Sequence, residues 1–445
     1  MNRTPSVSQL ASQMALEVVC PLRVANPSGL VRPPVYSLDE GPFAPLLQTR
    51  YLQGQEVSTV LLDSVESQAN RQEALLYRHV PLPDLQVELF DGRRVSQYEA
   101  PGRILDALFR ETDWNGTPFH QTRLFQEIAR GGESAERALF RHSPLTLVYG
   151  GWLSYGDIPA EMAPKWPRLV ALEILGLDPK PAHRTSSRLD PLSLPGNLTE
   201  LPEAIAKALA EQKKKGRLSE AGLGRLPPTV SPLDVAVRGA VLAGAVSLVG
   251  FRNLRLPQEA REVLLALALL GLALQHREGY RLRSGADLIP EEAAPLKVKA
   301  LPSGEVFALE VEPLREELDQ RLERLPEDLR WPTKPIVLRA NESLNELYQK
   351  ALLAKRSGPS SSGRGRNRCT WPFSCATPWR PTGARAPGDG SFLPTRCACG
   401  RPWCGRGPWR GSPLGPRRPW SGWRPCLPLW SWRLRFPRRT GGAGW

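Results

Sequence analysis

After Thr370 the chain contains no Val, Ile, Met, Lys, Glu, Gln, His, Tyr or Asn, and that absence limits where it can fold. A stretch with only scattered Leu has no periodic apolar face from which to build a strand or a helix. Residues 357–445 hold 16 Arg, no Lys and one acidic residue, Asp389, a charge of +15. The whole chain carries +14, so residues 1–356 carry −1. The same tail holds six of the seven Cys and nine of the 13 Trp. Its dominant residues are those of GC-rich codons, which fits out-of-frame translation beginning near Ser357. A flexible Arg/Trp arm that binds nucleic acid without sequence preference is the functional alternative. A zinc module is weaker, because the cysteine spacings give no Cys-x-x-Cys pair. The chain therefore divides into a body, 1–356, and a low-complexity tail, 357–445, read as disordered or frame-shifted.

The body is long enough for one large or two ordinary cores. Cys20 is its only cysteine, which points to a reducing compartment. The N-terminus lacks the pattern of a signal peptide. The most apolar run, Val263 to Leu274, is too short to span a bilayer and reads as a buried helix. A soluble cytoplasmic protein with no membrane partner is expected. Val57–Leu62 reads as a strand, and Ser64 caps a following helix that runs through Arg71 to Leu76. Helices are expected over Ile104–Arg110, Leu124–Arg130, Glu136–Arg141, Leu201–Gln212, Gln258–His276, Leu314–Leu325 and Asn341–Lys355. Gln86–Phe90 and Leu145–Gly151 read as strands, and Leu296–Ala300 with Glu305–Val311 as a hairpin. Strands and helices mix without strict alternation, which favours an α+β fold.

Several polar clusters carry Arg beside Ser, Asn or Gly, on what read as loops at element ends. Ser67, Gln68, Asn70 and Arg71 occupy the first turns of the capped helix, a position suited to a phosphate or a sugar hydroxyl. Arg141, His142 and Ser143 precede Pro144. Arg184, Ser187 and Arg188 precede Asp190-Pro191. Arg225 sits in a Gly/Pro-rich loop, Arg252 and Arg255 flank Asn253, and Arg281 and Arg283 follow the long helix. Each cluster alone is most simply a solvated charged loop. Together they offer planar cationic forks for phosphate and hydrogen bonds for sugar. Five scattered His, with no His-Glu-x-x-His spacing, nucleophile elbow, Walker loop or dinucleotide fingerprint, give no catalytic residue, metal site or cofactor. If the chain cuts RNA, His142 or His183 is the best general base, though a structural histidine is the simpler reading of both.

In this order, three blocks resemble the RAMP-superfamily backbone subunit of the type I-U (I-G) CRISPR surveillance complex. They are Leu62-Asp63-Ser64-Val65-Glu66-Ser67-Gln68-Ala69-Asn70-Arg71, Phe140-Arg141-His142-Ser143-Pro144 and Ser187-Arg188-Leu189-Asp190-Pro191. Gly222-Leu223 with Pro227-Pro228, Leu248 to Pro257, and Gly279-Tyr280-Arg281-Leu282-Arg283-Ser284 extend the likeness, which covers roughly Tyr51 to Lys355. The resemblance implies a modified RRM-like (ferredoxin-like) palm with large inserted segments, one of them a thumb-like hairpin. It implies copies that self-associate along a CRISPR RNA, beside other subunits of the complex, and present the guide to target DNA. The backbone subunit is not expected to be the nuclease. Gly285-Ala286-Asp287 departs from the basic continuation expected after Ser284, and Ser219-Glu220-Ala221 puts an acid near the Gly222 loop. The alternatives are a RAMP-type endoribonuclease that processes precursor CRISPR RNA, and an α+β enzyme whose Arg loops hold a phosphorylated small molecule. A near-neutral RNA-binding body must segregate its charge. Arg71, Arg184, Arg188, Arg225, Arg252, Arg255, Arg281 and Arg283 are expected to line one groove. Glu310, Glu312, Glu316, Glu317, Asp319 and Glu323 are expected on an outer face.

Overall fold

The computed structural model describes residues 4–10, 12–37, 43–153, 163–194, 203 and 224–357. The tail, most of Leu201–Gln212 and Gly222-Leu223 lie outside the described residues. The fold is α+β, with several sheets. Its main sheet is built from β1 (Ala15–Val24), β2 (Leu47–Leu52), β3 (Gln55–Asp63), β5 (Val170–Leu177), β8 (Gly239–Ser247), β9 (Tyr280–Arg283), β10 (Ala286–Pro290), β11 (Leu296–Leu301) and β12 (Val306–Leu309). The order is β9-β10-β1-β8-β5-β3-β2, with β11 also pairing β1 and carrying β12. Every neighbouring pair is antiparallel. Helix α1 (Val65–His79) lies between β1 and β5 in sequence, and α5 (Gln258–Glu278) between β8 and β10. Two strand–helix–strand crossovers are thus interleaved, each enclosing a strand of the other.

Alternation in β1 explains which face holds the core. Leu16, Val18, Cys20, Leu22 and Val24 are buried, while the residues between them are partly or fully exposed. The buried rows meet α1, α5 and α6 (Val311–Glu323). Because α5 contacts the sheet, α1 and α6, it is buried from Val263 to Gln275 on all sides. That surround accounts for an apolar run with no polar stripe. Gly271 sits mid-helix, where glycine costs about 1 kcal/mol against alanine. A Cβ there would lie 2.9 Å from the Tyr149 hydroxyl and 3.2 Å from Leu76, so the missing side chain lets α1 and α5 approach.

A second, five-stranded sheet takes up part of the segment that follows α1. Strands Thr117–Pro118 and Thr112–Trp114 are followed in it by β13 (Ile336–Ala340), β4 (Leu85–Glu88) and Arg94–Ser96. β13 runs parallel to β4, with Ile336 opposite Leu85 and Arg339 opposite Glu88. Helices α2 (Arg123–Arg130), α3 (Gly132–His142) and α4 (Pro144–Tyr149) follow, and α7 (Glu342–Ser357) comes last. Between β5 and β8 the chain makes a long ribbon of β6 (Lys180–Arg188) and β7 (Leu226–Ala236), mostly exposed along both strands.

Three readings need correction. Leu145–Gly151 is not a strand: Pro144 opens a short helix and Gly150, at φ 82°, ends it. Every residue of that helix is buried, so its apolar run has no helical period to read. Ile104–Arg110 is two pieces, a 3-10 turn at Arg103–Leu105 and a four-residue helix at Ala107–Arg110, because Asp106 caps the second. The Arg184 and Arg281 clusters lie on strands β6 and β9, not on loops. Among the described residues the other expected elements stand to within a few residues, except that Val311 opens α6 instead of ending the hairpin: α1 starts at the Ser64 cap, and the hairpin turns through Pro302-Ser303-Gly304.

A buried ion pair joins the segment after α1 back to that helix. The Arg103 side chain donates through Nε and Nη2 to the two Glu73 carboxylate oxygens and through Nη1 to the Gly150 carbonyl, 2.7 Å away. Both ionic side chains are 6% exposed. Burial works against the Arg103 charge, but the adjacent Glu73 overrides it and raises the guanidinium pKa. Removing one partner strands the other charge. Arg103→Ala is expected to lower unfolding free energy by about 3–5 kcal/mol in urea titrations. The double replacement Arg103→Met with Glu73→Leu should restore most of the loss.

Candidate nucleic-acid interface

Asp63 ends β3 and is fully buried, so its carboxylate must be paired. The cap at Ser64, whose hydroxyl accepts the Ser67 N–H, starts α1 immediately beside it. Ser67 and Arg71 then project from one helical face, four residues apart. Ser67 Oγ donates to Asp63 at 2.9 Å, Gln68 Nε2 at 2.6 Å and Arg71 Nε at 2.9 Å. Arg71 also donates to the carbonyls of Arg281 (3.0 Å) and Leu282 (2.7 Å). From β9, Arg283 reaches the same carboxylate at 3.3 Å and the carbonyls of Leu62 (2.9 Å) and Arg32 (3.2 Å). Burial pulls the Arg283 pKa down, Asp63 opposes that, and Arg71 adds to it.

A second buried carboxylate lies next to the first group. Asp234, on β7, accepts from Arg32 Nε at 2.8 Å and from Arg184 Nε at 2.6 Å. The Arg32 N–H donates to the Gly285 carbonyl, which links the two groups through the β9–β10 turn. Four guanidinium groups thus surround two carboxylates, an excess of positive charge at one place. Arg281 adds a side chain that is 87% exposed, with Asp287 3.7 Å away.

The expected residues divide by position. Arg71, Arg184, Arg281 and Arg283 are brought together. Ser67 and Gln68 join them by holding Asp63, and Asn70 is exposed on α1. Gln68 continues inward: its carbonyl oxygen accepts from Gln275 at 2.8 Å, and Gln72 donates to Gln275 at 2.8 Å. Ser187 and Arg188 lie further along the ribbon, where Arg188 is opposite Leu226. Four strand residues place Arg188 about 13 Å beyond Arg184. Arg225 donates its N–H to the Leu194 carbonyl at the ribbon's end, which Asp190 closes by accepting backbone N–H groups of Leu192, Leu194 and Gly224. Arg252 bonds the Gln13 carbonyl, and the Arg255 N–H donates to Glu136. Arg141 and His142 end α3, and Ser143 is buried with its hydroxyl 2.8 Å from that of Thr146. These last contacts involve other segments than the Asp63 and Asp234 groups. Glu310, Glu312, Glu316, Asp319 and Glu323 are exposed, as expected, whereas Glu317 turns in to pair with Arg321 at 2.7 Å.

Sequence reading missed three central residues. Asp63 stood inside the selected block, and its place as the last residue of a strand before a cap was a usable signal. Arg32 and Asp234 are far from any selected cluster, and only the pairing of β7 with Leu30–Val31 brings them together.

Residues 23–181 match the family model described as CRISPR-associated protein GSU0053. The matched span takes in Arg32, Asp63 and Arg71 and ends at the start of the ribbon. This similarity supports a CRISPR-associated protein. Among curated proteins, none matches the chain. Among the described residues, no helix is long and apolar enough to cross a membrane, and no cluster of His, Cys, Asp or Glu could hold a metal ion.

His142 is set apart by its environment. Burial, then the neighbouring Arg141 charge, lowers its pKa to about 4. Its Nδ1 is buried without a hydrogen-bond partner among the described residues. Between the ordinary histidine pKa and about 4, the unfolded chain takes up a proton here that the folded chain does not. Stability contributed by the neutral imidazole is present above pH 6.5 and lost as pH falls toward 4. Urea midpoints measured across that window should fall less steeply for His142→Asn than for the parent chain. Equal slopes would remove His142 as the cause.

Proposed function

We propose that this chain is a CRISPR RNA-binding backbone subunit of a type I-U/I-G surveillance complex. It oligomerises along the guide in the cytoplasm and presents it for pairing with target DNA, without cutting RNA itself. The observation that carries this reading is the convergence of Arg32, Arg71, Arg184 and Arg283 on two buried carboxylates, with the exposed Arg281 side chain beside them. A chain whose body is nearly neutral concentrates its cations where one polyanion could lie. The interleaved crossovers support an RRM-like palm with insertions. The β6–β7 ribbon suits an inserted thumb-like hairpin, and the family similarity over residues 23–181 supports the CRISPR association.

The face of the main sheet opposite the helices helps to define the mode of binding. Leu61, Leu175 and Val241 cluster there with Val19, Ala243 and Tyr36. Glu17 and Glu173 are paired to Lys299 and Arg50. Apart from the partly buried Tyr36, these aliphatic and acidic groups offer little to stack or attract a base, so recognition falls mainly to guanidinium–phosphate contacts. These hold any guide sequence, and Watson–Crick pairing carries the specificity. The low His142 pKa argues against that residue as a base near neutral pH.

In fluorescence titrations with single-stranded guide RNA, Arg281→Ala should weaken binding about equally for unrelated sequences. It should also reduce the slope of log affinity against log salt by about 1. Loss for one sequence only, or cleavage of precursor RNA that disappears in His142→Ala, would overturn the reading.

A further inference from the structure

We propose that Arg32 and Arg184, held side by side by Asp234, form a paired clamp for a single RNA backbone phosphate. The inference rests on the RNA-binding reading and names one subsite within it. Asp234 is fully buried, and each of its oxygens takes one arginine through Nε alone. A carboxylate gripped bidentately by one arginine would consume two donors of that fork. Here the four Nη atoms of the two arginines make no hydrogen bond among the described residues. Asp234 therefore fixes the orientation of both guanidinium planes while leaving their outer donors for a ligand. The two side chains are about 42% and 32% exposed, so their tips reach solvent while their anchor does not.

The surroundings keep this place open. A Cβ at Gly285 would lie 2.7 Å from both Nη1 and Nη2 of Arg184, so only glycine leaves the fork where it stands. Gly285 also has φ 77°, which favours glycine independently. Its carbonyl accepts the Arg32 N–H, so one turn positions both members of the pair. The ligand class follows from the donors. Two planar, permanently charged forks suit a tetrahedral oxyanion with several acceptors, and a lone Lys ammonium would not reproduce that geometry. Asp234 is a positioning residue: it touches the arginines and not the phosphate.

The test uses the full chain and a single-stranded RNA carrying one neutral methylphosphonate linkage, moved along the strand. With the parent protein, one linkage per bound copy should lower affinity about tenfold. Arg32→Lys and Arg184→Lys keep the charge and remove the fork. Each should weaken the unmodified RNA about tenfold, the double variant should be little worse, and the sensitive linkage should become silent. Thermal melts confirm that the variants fold. If the parent binds RNA but both lysine variants bind equally well and keep the sensitive linkage, the clamp is wrong and the RNA-binding reading survives. If the parent binds no RNA, the broader reading fails first.

Discussion

One buried carboxylate organises the polar half of this molecule. Asp63 lies where a strand becomes a helix, and it cannot remain charged there without partners. Ser67, Gln68 and Arg71 supply them from the helix, and Arg283 from a strand more than 200 residues later. The requirement to pair one anion therefore draws the β9 strand against the first turns of α1. Arg281, Gly285 and the Asp234 pair take their places from that closure. A ring of cations elsewhere in the chain would repel itself; around two anions it is held together.

Most of the described helices and strands were readable from local signals. The Ser64 cap, the breaks at Gly131-Gly132 and the turn through Gly304 each act within a few residues. The Pro144–Tyr149 helix was not, because full burial erases the alternation that separates helix from strand. The candidate interface was legible only as a list of arginines. Arg71, Arg184, Arg281 and Arg283 do assemble, but the Arg252 side chain bonds Gln13 and the Arg255 backbone N–H bonds Glu136, both on other segments. Nothing local distinguishes these sets, since each is Arg beside a small polar residue. What separates them is the buried anion opposite, and its position depends on tertiary pairing.

Two kinds of arginine emerge within the assembled set. Arg71 and Arg283 spend their donors on Asp63 and on backbone carbonyls, so their charge contributes mainly through the field they create. Arg281 extends outward, and Arg32 and Arg184 retain unused donors. A static scaffold with a few outward forks would suit the proposed role, in which any guide sequence is held in the same register. Preorganised side chains lose less entropy on binding than free ones.

The parallel pairing of β13 with β4 has a consequence for how the protein is made. Leu85–Glu88 leaves the ribosome about 250 residues before Ile336–Ala340, the strand that it must adjoin. The small sheet is therefore incomplete throughout most of translation, with β4 lacking one neighbour. Its exposed backbone is a place where nascent chains could pair wrongly with each other. Ribosomes that stall before Ala340 would release a polypeptide whose main sheet can close but whose accessory sheet cannot.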